Sequence, residues 1–117
     1  MTTSVIDQEV YQALVEIVGE DFVGEMIDAF LEESARFLAD MKDALSDRDV
    51  DRFRRAAHSL KSNAATLGAM RLSALAKGLE DMARENQLEG AAEKLEPILA
   101  AFSEAEQALK ELRHGRA

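Results

Sequence analysis

The chain has 117 residues, no cysteine, and 14 basic against 23 acidic side chains for a formal net charge of −9. That length suits one domain with its own core, the missing thiols exclude disulfides, thiolate metal sites and a cysteine nucleophile, and the acidity opposes binding to a phosphate backbone. The opening MTTSVIDQEV has neither the basic start nor the apolar run of a signal peptide, and no segment has the length and apolarity of a membrane span. The expectation is a soluble, cytoplasmic protein with neither a nucleic-acid nor a membrane partner.

Ala, Leu, Glu and Arg dominate, and apolar spacing predicts five helices with no competing strand pattern. The first is short, about 6–18, with Ile6, Val10, Leu14 and Ile17 on its stripe and Gly19 as its stop. The second is long, from about Asp21 to Leu45, with Val23, Met26, Ile27, Phe30, Leu31, Leu38, Met41 and Leu45 facing inward. Ser46-Asp47-Arg48-Asp49 makes a turn, with Asp49 placed to cap the next helix. The third runs from about Val50 to Leu67 and ends at Gly68, where a left-handed residue costs nothing. The fourth carries Leu72, Leu75, Ala76, Leu79, Met82 and Ala83 and stops near Glu85-Asn86. The fifth carries Leu95, Ile98, Leu99, Phe102, Leu109 and Leu112, and Pro97 predicts a kink in it. The fold class is all-α: an antiparallel up-down four-helix bundle over about 21–113, with the short N-terminal helix capping one end, in a single domain spanning 1–117. All five stripes can be consumed inside one bundle, so a monomer is expected.

The third helix holds the stretch RRAAHSLKSNAATLGA and one of the two histidines of the chain. On a helical wheel Phe53, Ala56, Ala57, Leu60, Ala64 and Leu67 share one arc centred near Leu60, and His58 lies about 160° from that centre. His58 therefore faces water, with Asp51, Arg54, Arg55, Lys61, Ser62 and Ala65 as neighbours on the outer face. Exposed helix surfaces favour long charged side chains, yet Ser62 and Ala65 leave the imidazole in a clearing that another protein can approach closely. Lys61 adds a positive charge beside it.

A lone imidazole offers three chemistries. Metal binding needs converging ligands, and no second histidine stands at i±3 or i±4; position 55 is arginine, so the Glu-x-x-His pair of bundle di-iron sites is absent. A general base needs a concave site and an orienting partner, which an outward helix face does not supply. No glycine-rich loop is present to hold ATP. What remains is a nucleophile whose electrophile arrives on a partner: a neutral imidazole nitrogen can take a phosphoryl group and hold it as a phosphoramidate.

The run AHSLKSNAATLGA resembles the signature of the histidine-containing phosphotransfer (HPt) domain family, His-x-Leu-Lys-Gly followed after small residues by a hydrophobic residue and glycine. The matching residues are His58, Leu60, Lys61, Leu67 and Gly68, with Leu79-Glu80 matching a pair in the family's next helix. The similarity covers roughly residues 21–112. Ser62 departs from the family's usual glycine while keeping the clearing open. The resemblance implies that His58 accepts a phosphoryl group, through Nε2, from a phospho-aspartate of a receiver domain and passes it to another receiver in two-component signalling. Lys61 would stabilise the phosphoryl group, and Ser62, Ala65, Arg54, Arg55 and Phe37 would line the docking surface on the second and third helices. There would be no intrinsic cofactor; the magnesium ion of transfer would belong to the receiver, and the chain would be a carrier, not an autonomous kinase. His114, in the polar C-terminal tail, matches nothing. Two other readings stay open: a helical interaction module never phosphorylated, and the phosphotransfer domain of a chemotaxis-type or hybrid sensor kinase.

Overall fold

The computed structural model describes residues 5–114, and the described residues form five helices and no strand. Helix α1 (Gln8–Val18) starts where the Asp7 carboxylate accepts the amides of Glu9 and Val10 at 3.0 and 3.2 Å, and it ends at Gly19. Helix α2 (Glu20–Asp47) is the longest, and it is closed by Arg48 in the left-handed region at φ 55°. Asp49 then caps α3 (Val50–Thr66) by accepting the Arg52 amide at 3.1 Å, as its position after the turn predicts. Helix α4 spans Met70–Arg84, and α5 spans Ala91–His114.

The α3–α4 corner is fixed by Gly68. Its φ is +87°, and a Cβ there would stand 2.9 Å from the Asp7 carbonyl oxygen. Only glycine relieves both constraints. The Asp7 amide in turn donates to the Gly68 carbonyl at 2.8 Å, which pins the entry of α1 against this corner and buries Ile6 beside it. The short helix thus closes one end of the bundle.

Helix α3 lies between α2 and α4 and makes the two most extensive helix–helix interfaces. Phe53, Ala57, Leu60 and Ala64 are fully buried there, with Ile27, Met41, Leu72, Leu79, Ile98 and Leu109 opposite. Alanines on the buried faces of α3, α4 and α5 let the helices approach closely.

Two expectations are corrected. Ile17 is 79% exposed and Leu99 47% exposed, so neither belongs to the core. On α5 the inward face is built from Ala91, Ile98, Ala101, Ala105 and Leu109, and Leu99 lies about 100° round from Ile98. Helix α5 continues through Pro97 as one segment, so the proline does not end the helix. Among the described residues no helix is long and apolar enough to cross a membrane.

Candidate functional site

His58 stands midway along α3 with 56% of its side chain exposed, on the outward face that the wheel predicts. Contrary to the expectation from an outward helix face, His58 has an orienting partner. Glu80, from α4, reaches under the ring, and its Oε2 lies 2.8 Å from His58 Nδ1. The same carboxylate has Lys61 Nζ 2.7 Å from Oε1 and Arg84 Nη2 3.1 Å from Oε2. Its side chain is 2% exposed, so a buried anion is surrounded by three nitrogen groups that remain partly in water.

The electrostatics fix the roles. Burial pushes the Glu80 carboxyl up, but the hydrogen bonds and charges of Lys61 and His58 outweigh it and hold the group below the ordinary carboxylate range. At neutral pH Glu80 is therefore ionised and can only accept. In the neutral imidazole the proton must then sit on Nδ1, donated to Glu80, and Nε2 keeps its lone pair. That arrangement is a histidine prepared to use Nε2 as a nucleophile or acceptor, with a carboxylate to stabilise positive charge on the ring.

The local sequence explains why α4 can do this. Leu72, Ser73, Ala76, Leu79, Glu80 and Ala83 form its buried face. Ser73, two turns before Glu80 on that face, donates from Oγ to the Lys61 carbonyl at 2.9 Å, so α4 holds α3 through both the backbone and the side chain of the Lys61 region. Glu80, Arg84 and Ser73 were not singled out from the sequence as site residues. A usable signal existed: an acidic residue interrupting the apolar arc of a helix is costly unless it is paired.

The predicted surface residues divide into groups. Ser62 is exposed and Ala65 half-buried. Arg54 and Arg55 are both tied to Asp51, at 2.7 and 3.2 Å, and these partners hold the Asp51 carboxyl below its usual range. Lys61 is 26% exposed, with its ammonium directed to Glu80. Phe37 is half-buried and packs against the core. It shares a stripe of α2 with Glu33 and Asp40, which bond to Asn63 and Arg52, so it lies across α3 from Glu80. His114 ends α5, and its side chain lies outside the described residues. No group of three His, Cys, Asp or Glu side chains among the described residues converges to hold a metal ion.

Residues 25–115 match the model of the Hpt domain. The chain is 30% identical over 89 residues to the phosphorelay protein LuxU of Vibrio harveyi, an alignment covering 76% of this chain and 78% of LuxU. Its structure superposes on the crystal structure of histidine-containing phosphotransfer protein B (HptB) from Pseudomonas aeruginosa PAO1 with a TM-score of 0.92 and 28% identity, covering 99% of this chain and 100% of that one.

Proposed function

Because this chain belongs to the Hpt domain family, we propose that it is a phosphorelay carrier that takes a phosphoryl group on His58 Nε2 from the phospho-aspartate of one receiver domain and delivers it to another. The observation that carries this reading is the buried Glu80 carboxylate on Nδ1 of an exposed histidine. Such a contact orders the ring and sets its tautomer without covering Nε2.

The transfer balances as follows. The Nε2 lone pair attacks phosphorus in line with the bond to the aspartyl oxygen, and the new N–P bond forms as that P–O bond breaks. The electron pair of the broken bond leaves with the aspartate carboxylate. The Nδ1 proton stays in place, so the ring becomes cationic, and Glu80 is positioned to stabilise that charge. A cationic phosphoimidazole is also the form that leaves readily, as neutral imidazole, when a second receiver's aspartate attacks. Lys61 neutralises Glu80 and adds positive charge beside the incoming phosphoryl group. The magnesium ion of such transfers belongs to the receiver, whose acidic pocket supplies its ligands. On this reading the chain is a cytoplasmic monomer and a carrier without a kinase activity of its own.

Ser62, Ala65, Arg54 and Arg55 form the near part of the docking surface, with Phe37 on its α2 side. Replacing Ser62 by arginine fills the clearing from an exposed position. Ser62→Arg is therefore expected to keep the thermal melting temperature within a few degrees while slowing transfer from a receiver by tenfold or more. An unfolded variant, or one transferring at the native rate, would refute the clearing as a docking surface.

A further inference from the structure

On α3, His58 is flanked at one helical turn by Arg54 and Arg55 before it and by Lys61 and Ser62 after it. All but Ser62 are engaged. Arg54 and Arg55 both pair with Asp51, at 2.7 and 3.2 Å, and Lys61 Nζ lies 2.7 Å from Glu80 Oε1. Among the described residues the Ser62 hydroxyl bonds to no protein group.

The other hydroxyls near this segment are spent. A serine or threonine inside a helix commonly turns back onto the carbonyl four residues earlier. Thr66 does so, donating from Oγ1 to the Ser62 carbonyl at 3.0 Å, and Ser73 donates to the Lys61 carbonyl at 2.9 Å. Ser62 is exposed and leaves the His58 carbonyl alone. Small size does not account for serine here. Alanine is smaller and a better helix former, and it is the residue at position 65 on the same outer face. What serine adds over alanine, or over the family's usual glycine, is a hydroxyl donor.

The direction of that donor follows from the helix. Cα–Cβ bonds tilt toward the N-terminus, so a residue covers the turn before its own. Ser62 therefore leans over the turn that carries His58. Glu80 engages Nδ1 from α4 at 2.8 Å, so Nε2 is the nitrogen left to the outer face of α3.

We propose that Ser62 is a phosphoryl-contact residue. Its hydroxyl donates a hydrogen bond to an oxygen of the group carried on His58 Nε2, keeping its own proton, and so holds that group on this chain against return to the receiver. The inference rests on the phosphorelay reading and adds to it a donor from α3.

Two readouts test it. In the first, label is allowed to reach equilibrium between a receiver domain and the chain, for the native protein, Ser62→Ala and Ser62→Gly. Both variants keep the position small and lack the hydroxyl. Both are expected to shift the division toward the receiver by the same factor, about three- to tenfold. Ser62→Ala should melt no lower than the native chain, so unfolding does not produce the shift. A native division in Ser62→Ala overturns the proposal. So do unequal shifts in the two variants, which differ in helix propensity but not in the missing donor. The second readout needs no receiver. The chain is labelled at His58 with phosphoramidate, and the Hα–Hβ couplings of Ser62 are compared before and after. A hydroxyl captured by the phosphoryl group fixes χ1, so couplings averaged over rotamers should move to those of a single one. Couplings that stay averaged overturn the proposal. Couplings that become fixed in a chain that no receiver labels would leave the Ser62 contact standing and overturn the phosphorelay reading instead.

Discussion

Replacing Glu80 by glutamine separates the site's chemistry from its stability. The change keeps the side chain's shape and removes the charge that His58, Lys61 and Arg84 share at 2.8, 2.7 and 3.1 Å. Truncating one member of a fully buried ion pair costs about 3–5 kcal/mol, because its partner is left uncompensated. Here the partners are 56%, 26% and 60% exposed and can rehydrate. The loss of stability should therefore be about 1–2 kcal/mol, partly offset by relief of the carboxylate's burial. The nucleophile loses more. The charge-assisted hydrogen bond that favours Nδ1–H over Nε2–H is worth about 1.5–3 kcal/mol, so phosphorylation at Nε2 should slow by about 10- to 150-fold. The assay is labelling by phosphoramidate followed by phosphorus NMR, beside a thermal melt and the nitrogen NMR signals of His58. Native His58 carrying its proton on Nε2, or Glu80→Gln labelling at the native rate, would refute the reasoning.

Two further outcomes follow from single residues. Gly68→Ala places a Cβ 2.9 Å from the Asp7 oxygen at φ +87°, so a loss of about 1–3 kcal/mol is expected in denaturant unfolding; an unchanged midpoint would show that the corner tolerates side chains. The folded-state Glu80 carboxyl is held below its ordinary value of 4.5, so its contribution to stability is complete above that value and is lost as pH falls through the lower folded value. Native protein should accordingly lose more stability than Glu80→Gln on acidification below about pH 4.5; parallel acid titrations of the two would contradict the assignment.

The helices and the face of His58 were legible because both depend on periodicity along one segment. The arc centred on Leu60 places His58 outside whatever the partner helices are, and Asp49 and Gly68 mark the ends of α3 by local backbone rules. The hydrogen bond from His58 to Glu80 joins positions 22 apart in sequence, and its formation depends on how α3 and α4 are rotated against each other. Periodicity within one helix does not contain that angle, although Glu80 on an apolar arc marked α4 as unusual. The same limit explains Leu99. Counting large apolar residues favoured it, whereas close packing against α5 uses Ala101 and Ala105.

The central claim, that His58 carries the phosphoryl group between receivers, is tested most directly by mixing the purified chain with phosphorylated receiver domains and following label onto it, with His58→Gln beside the native protein. The account predicts acid-labile label on the native chain, none on His58→Gln, and passage of that label to a second receiver. Label of equal extent on His58→Gln, or no label from any receiver although phosphoramidate modifies His58, would contradict it.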